Sequence, residues 1–278
     1  MEEHRQTKDS RHSDNSHAPT GVVILARPQL GVNIGAVARA MGNCGVTRLR
    51  LVSPRPTWSK KDAIAMACHS ASLIHKAQIF PTTQDALSDL HYVLATTARP
   101  RTQHIPVLDL DSAITTLHKQ QRHGHGLWGV LFGCERSGLT NEEVSQCHGI
   151  LHIHTHPLCP SLNIAQAVLL VCYHWYRLAS NTSRHSTQTQ QATHATASHR
   201  HRLFFLERLE TMLTEKQFFH HQRYDSKKTT IRLRNMLARL QPTHEDIDLL
   251  HALVTCLTSP PTHNNKDFPF DINRITPL

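Results

Sequence analysis

The sequence predicts an α/β fold, a mostly parallel sheet flanked by helices, with a small helical C-terminal extension. Three observations carry that expectation. Short apolar runs alternate with helix-spaced segments from residue 21 onward. The first trio, strand, helix, strand, spans about 30 residues, the length of a βαβ unit. Beyond a polar stretch near residue 190, the remaining periodic segments are all helical.

Taken in order, residues 1–19 hold too few large apolar groups to offset the entropy of ordering them and read as a disordered polar tail. The domain expected over 20–179 opens with the strand GVVILA (21–26), the helix NIGAVARAMGNCG (33–45), closed by Gly45, and the strand RLRLV (48–52). A helical stretch KDAIAMACHSASLIH follows, then strands HYVLATT (91–97) and LWGVLFG (127–133). Thr140 and Glu143 have the spacing of a capping box, so a helix starts at Asn141. The strand ILHIH (150–154) precedes a long apolar helix running to about Ala179, which the polar triplet Ser161-Leu162-Asn163 opens; Ser and Asn both suit a helix cap. Residues 180–200 read as a polar linker and 201–278 as the helical extension and tail. Its first helix places Leu206, Leu209 and Leu213 on one face; IRLRNMLARL and EDIDLLHALVTCL supply two more helices.

Composition narrows the partner. Thirty Lys and Arg against 21 Asp and Glu give a formal net charge of +9, which favours a polyanionic partner over an acidic protein surface or none. No run approaches 18 apolar residues and the N-terminus has no apolar h-region, so a cytoplasmic chain with no membrane partner is expected. The seven Cys form no CxxC pair and read as reduced thiols. The 24 His are scattered; His152, His154 and His156 would share a strand face, but no further ligand completes a shell, and no metal is expected.

Several strand ends carry residues that periodicity does not require. Asn33 and Arg39 lie on the first helix beside Gly31 and Gly35, yet the GxxxG spacing and the absence of a carboxylate after the second strand fail the dinucleotide fingerprint. A capping Asn and a surface Arg remain the plain alternative. Glu135 and Arg136 follow the strand at 127–133, at the edge where such sheets bind ligands; a loop ion pair would also explain them. Thr96, Thr97 and Ala98, with Arg99 and Arg101, end another strand. In the extension Lys227, Lys228, Arg232, Arg234 and Arg239 form either a phosphate-facing surface or an ordinary solvated face.

Three of these stretches, NIGAVARAMGNCGVTRLRLVSP, LFGCERSGLTNEEVSQCH and SLNIAQAVLLVCY, resemble in order and separation motifs 1 to 3 of the SPOUT RNA methyltransferases, SpoU branch. The likeness is strong over 21–178 and weaker over 201–260, and is greatest to members that methylate a ribose 2′-hydroxyl at position 32 of the tRNA anticodon loop. It implies a trefoil-knotted α/β sheet whose knot binds S-adenosylmethionine, and a homodimer in which motif 1 of one chain faces the cofactor of the other. It also implies cofactor contacts at Thr96, Thr97, Ala98, Gly133, Ile153, Ser161 and Leu162, and catalytic roles for Asn33, Arg39, Glu135, Ser161 and Asn163. Pro160 departs from the small residue common there. Arg99, Arg101, Arg136, Lys227, Lys228, Arg232 and Arg234 are the RNA-binding candidates.

A sulfonium methyl is already activated, so the chemistry requires alignment and proton removal but no obligatory metal. A guanidinium is a poor base, which points Arg39 toward holding a phosphate that accepts the proton. Ribosomal RNA as substrate, or non-catalytic RNA binding on the same scaffold, are the competing expectations.

Overall fold

A computed structural model describes residues 21–98, 105–122, 126–182, 196–220 and 225–258. The polar tail at 1–19, Arg99, Arg101, most of the linker and the residues after 258 lie outside the described residues.

Among the described residues seven strands form one sheet: β1 (Gly21–Ala26), β2 (Arg48–Val52), β3 (Gln78–Phe80), β4 (Tyr92–Thr96), β5 (Val107–Asp109), β6 (Trp128–Phe132) and β7 (Gly149–His152). Their order is β3-β2-β1-β6-β4-β7-β5, and every neighbouring pair is parallel. Parallel pairing requires crossovers, and these place helices on both faces, so central strands are buried twice over. β1 shows the consequence. Val23 and Leu25 enter one apolar cluster while Val22, Ile24 and Ala26 enter the other.

The first cluster lies under α1 (Gly31–Asn43), α2 (Lys60–Ala67), α3 (Ala71–Lys76), α5 (Leu110–Arg122) and α7 (Ile164–Thr182). The second lies under α4 (Thr83–Leu87) and α6 (Asn141–Ser145). The helical stretch at 61–75 is broken at Cys68, where φ turns to +51° and the chain makes one 3₁₀ turn before α3. The last strand is shorter than expected. β7 ends at His152, so His152, His154 and His156 do not share a strand face, and among the described residues no group of three or more His, Cys, Asp or Glu is placed to hold a metal ion.

Three helices follow: α8 (His199–Glu215), α9 (Ser226–Leu240) and α10 (His244–Thr258). Phe205, Leu206, Leu237 and Ile247 form their small buried core, joined at the rim by Leu209; Leu213 is half-buried outside it. Among the described residues no helix is long and apolar enough to cross a membrane.

Candidate active site

The carboxyl ends of β4, β6 and β7 open onto one pocket of about 410 Å³, a volume typical of small-molecule sites. Thr96, Thr97 and Ala98 supply one wall, and the loop from Gly133 to Gly138 supplies a second. Ile153 and the segment Pro160–Asn163 supply the third, and Asn33 reaches in from α1. All seven expected cofactor contacts, Thr96, Thr97, Ala98, Gly133, Ile153, Ser161 and Leu162, line it, as do Asn33, Glu135, Arg136 and Asn163. Pro160 is also in the lining.

Local sequence sets each wall. After β6 the chain doubles back, with Gly138 N–H donating to Cys134 O at 2.8 Å. Gly138 takes φ +69°, and any Cβ on Gly133 would overlap the Gly138 backbone, so two glycines permit the turn that carries Glu135 and Arg136 at its tip. The turn is anchored from outside. Arg27 donates to both carboxylate oxygens of Glu143 and to Gly138 O, the last at 3.1 Å. Glu143 also accepts from Thr140 N–H, completing the expected capping box at α6. Opposite, Thr96 Oγ1 donates to Leu131 O at 3.1 Å, and His152 Nδ1 lies 3.2 Å from Thr97 O.

Asn163, not Ser161, is the cap of α7. Its Oδ1 accepts from Ala165 N–H at 2.8 Å, and its own N–H donates to Gln166 Oε1 at 3.2 Å, a reciprocal pair that satisfies the helix start. Ser161 is left exposed in the pocket wall.

One relay joins the three motifs. Glu135 accepts from Asn33 Nδ2 at 3.0 Å and from Gln29 N–H at 3.2 Å. A carboxylate can only accept, so Asn33 must turn its amide hydrogens toward Glu135 and its oxygen the other way. That oxygen accepts from Asn163 Nδ2 at 3.2 Å. The Glu135–Arg136 ion-pair alternative is therefore displaced: Glu135 is engaged by α1 and the loop before it, while Arg136 stays exposed in the pocket.

Arg39 does not line the pocket of its own chain. It lies six residues beyond Asn33, about 9 Å along the helix axis, and is exposed. On α9, Lys227, Lys228, Arg232 and Arg239 are exposed, but Arg234 departs from that surface: its Nε sits 3.8 Å from Glu210 Oε1 and its side chain is only 17% exposed. An inward position on a helix whose opposite face is solvated explains the difference. Sequence reasoning missed Arg27 and the backbone of Gln29; the available signal was a lone charge directly after an all-apolar strand.

The chain is similar to known proteins over most of its length. The profile of the SpoU rRNA methylase family matches residues 21–173. A Photorhabdus laumondii tRNA (cytidine/uridine-2′-O-)-methyltransferase TrmJ is 31% identical over 84% of this chain and 94% of its own. The Klebsiella pneumoniae protein of the same name is 29% identical over 84% and 95%. The crystal structure of TrmJ from Z. mobilis ZM4 superposes with a TM-score of 0.75 at 33% identity, covering 86% of this chain and 99% of that one. With the family profile spanning more than half its length and its three motifs meeting at one pocket, this chain belongs to the SpoU rRNA methylase family.

Proposed function

We propose that this protein transfers a methyl group from S-adenosylmethionine to a ribose 2′-hydroxyl of tRNA, in the anticodon loop at position 32, and does so as a homodimer. The observation that carries the reading is the Asn163–Asn33–Glu135 relay on the rim of the pocket. The substrate class follows the relatives named above, whose lengths this chain nearly spans.

The pocket suits the cofactor. Leu151, Ile153, Leu162 and Ile164 give an apolar wall for a nucleoside base, and the strand ends from Thr96 to Ala98 and at Gly133 bring backbone polar groups to its edge. S-adenosylmethionine, when bound, supplies a methyl group already activated on a sulfonium. Glu135 fixes the orientation of Asn33, and Asn33 with Asn163 positions the ribose. Arg39, from a second copy of the chain, holds the phosphate beside the target ribose, and an oxygen of that phosphate takes the 2′-hydroxyl proton as the ribose oxygen gains the methyl. The guanidinium stays protonated throughout.

Two features support the homodimer. Arg39 lies outside its own chain's pocket, and Leu169, Tyr173 and Tyr176 of α7, 42%, 49% and 52% exposed, form an apolar stripe at helical spacing. α7 packs against the helix that carries Arg39. Replacing Tyr173 with Asp should yield monomers in sedimentation and abolish methyl transfer.

Mapping 2′-O-methyl groups in RNA from cells lacking the protein tests the reading. Loss at one anticodon-loop ribose is expected. Loss in ribosomal RNA alone would reassign the substrate, and no loss in either pool would overturn the activity. Arg39→Lys should bind RNA normally and turn over poorly; near wild-type turnover would remove Arg39 from the chemistry.

A further inference from the structure

Where the C-terminal helices meet the sheet, the protein buries a charge that no described carboxylate balances. Arg202, in the first turns of α8, is 5% exposed. Its guanidinium makes one hydrogen bond, Nη2 to His199 Nδ1 at 3.4 Å. Among the described residues no carboxylate pairs with it. Of the acids on the surrounding elements, Glu143 is bound by Arg27 and Glu207 by Gln84, while Glu210 Oε1 faces Arg234 Nε at 3.8 Å, beyond hydrogen-bond reach. The groups that act on Arg202, or feel it, are His148, His199 and the Cys147 thiol, none of which balances a cation. Buried charges are ordinarily paired, because an isolated ion in a low-dielectric interior is costly.

Beside Arg202 lies a cavity of about 10 Å³, lined also by Ser145, Gln146, His199 and Arg234. Among the described residues three lining nitrogens lack a hydrogen-bond partner: His199 Nε2, Arg202 Nε and Arg234 Nε, the last 3.8 Å from Glu210 Oε1. Arginine can only donate, so His199 Nδ1 accepts from Arg202 and the neutral ring carries its proton on Nε2. All three orphaned nitrogens are thus donors. Gln146 Nε2 donates to Glu142 O at 3.5 Å, which leaves its Oε1 without a partner. The volume admits one occupant about the size of a water molecule. Whole phosphate and sulfate ions exceed that volume.

We propose that this cavity is a halide site, filled by chloride, which neutralises Arg202 and clips the C-terminal helices to the sheet body. The first N–H groups of α8 reinforce the assignment by being spent elsewhere: His199 N–H donates to Leu90 O and Arg200 N–H to Ser88 O, both at 2.9 Å. The helix start therefore docks through its backbone, and its side chains are left to hold the ion. Because α9 carries Lys227, Lys228 and Arg232, the ion would also fix the placement of that basic surface.

The test uses the full-length protein at constant ionic strength, with sodium chloride exchanged for sodium gluconate, whose anion cannot enter the cavity. The melting temperature should rise with the logarithm of chloride concentration once the site fills, by about 3 °C for each tenfold increase. Arg202→Met should abolish this chloride-specific rise. Wild-type crystals soaked in bromide should show an anomalous peak beside Arg202 and His199, and this measurement decides the matter if the variant does not fold. A chloride response equal in wild type and variant, as a water-filled cavity would give, overturns the proposal, as does the absence of a bromide peak there.

Discussion

The sheet body and the three C-terminal helices are held together by different physics. The body buries two large apolar clusters, one on each face, with Phe132, Leu94 and Leu131 among its fully enclosed side chains. The helical unit has few buried apolar residues of its own, and its junction with the body buries His148, His199, Arg202 and Asn235 instead. A dense apolar scaffold fixes a pocket to within a fraction of an ångström. A small core docked through polar groups is marginal and sensitive to solution conditions. The rigid region therefore carries the proposed chemistry, and the conditional one carries the basic face.

Cavity-creating substitutions break that contrast most severely. Leu131→Ala in the sheet should cost about 3–5 kcal/mol and lower the melting temperature of the whole chain, whereas Leu206→Ala, in the smaller core, should cost about 2–3 kcal/mol. Hydrogen exchange should show the second loss confined to α8–α10. Global unfolding in both variants would mean that the two regions form one cooperative unit.

Acid separates the regions next. Burial, with nearby Arg202 adding to it, holds both the His148 and His199 rings neutral, their pKa values pushed well below the ordinary 6.5. Unfolded, both rings protonate near 6.5, so the stability they permit is complete above that pH and falls as pH drops below it. The loss is about 1.4 kcal/mol per pH unit for each ring. A pH series of hydrogen exchange between 7 and 5 should show α8–α10 opening before the strands. His199→Phe should halve the slope.

The relay sharpens the comparison at the pocket. Glu135→Ala removes the acceptor that orients Asn33 and should reduce methyl transfer about 10–100-fold, with little change in melting temperature because the residue is half-exposed on a loop. A matching loss of stability would make Glu135 only a loop tether.

Neutralising the basic face should have the smallest effect. Lys227→Gln with Lys228→Gln should weaken RNA binding severalfold and reduce the slope of log affinity against log salt by up to about 2, leaving the melting curve unchanged. An unaltered salt slope would return these lysines to an ordinary solvated face.

How much of this was legible varies by element. β1, β4 and β6 are apolar runs because both of their faces are covered, and such runs stand out in any sequence, while β2 alternates Arg with Leu. β3 and β5 are three-residue edge strands, largely exposed, with no period to read, and the amphipathic α5 beyond β5 was missed with them. The break at Cys68 is a backbone event inside an unbroken helical pattern. In the site, the pocket-lining residues could be listed from motif resemblance, but their partners could not. Nothing in the sequence around Arg27 points to Glu143, 116 residues away. Arg234 has the same composition context as Arg232, and only packing turned it inward.

By itself, the sequence determined the alternation of strands and helices, the basic charge and the order of three motifs, because each depends on local propensity and on which side chains avoid water. Only the tertiary structure decided that Asn33, Glu135 and Asn163 form one relay. Those residues are 102 and 130 positions from Asn33, and they meet because the strand order sets β6 beside β1 and brings the start of α7 against α1. A hydrogen bond depends on separation in space, and separation in space is a property of the assembled sheet.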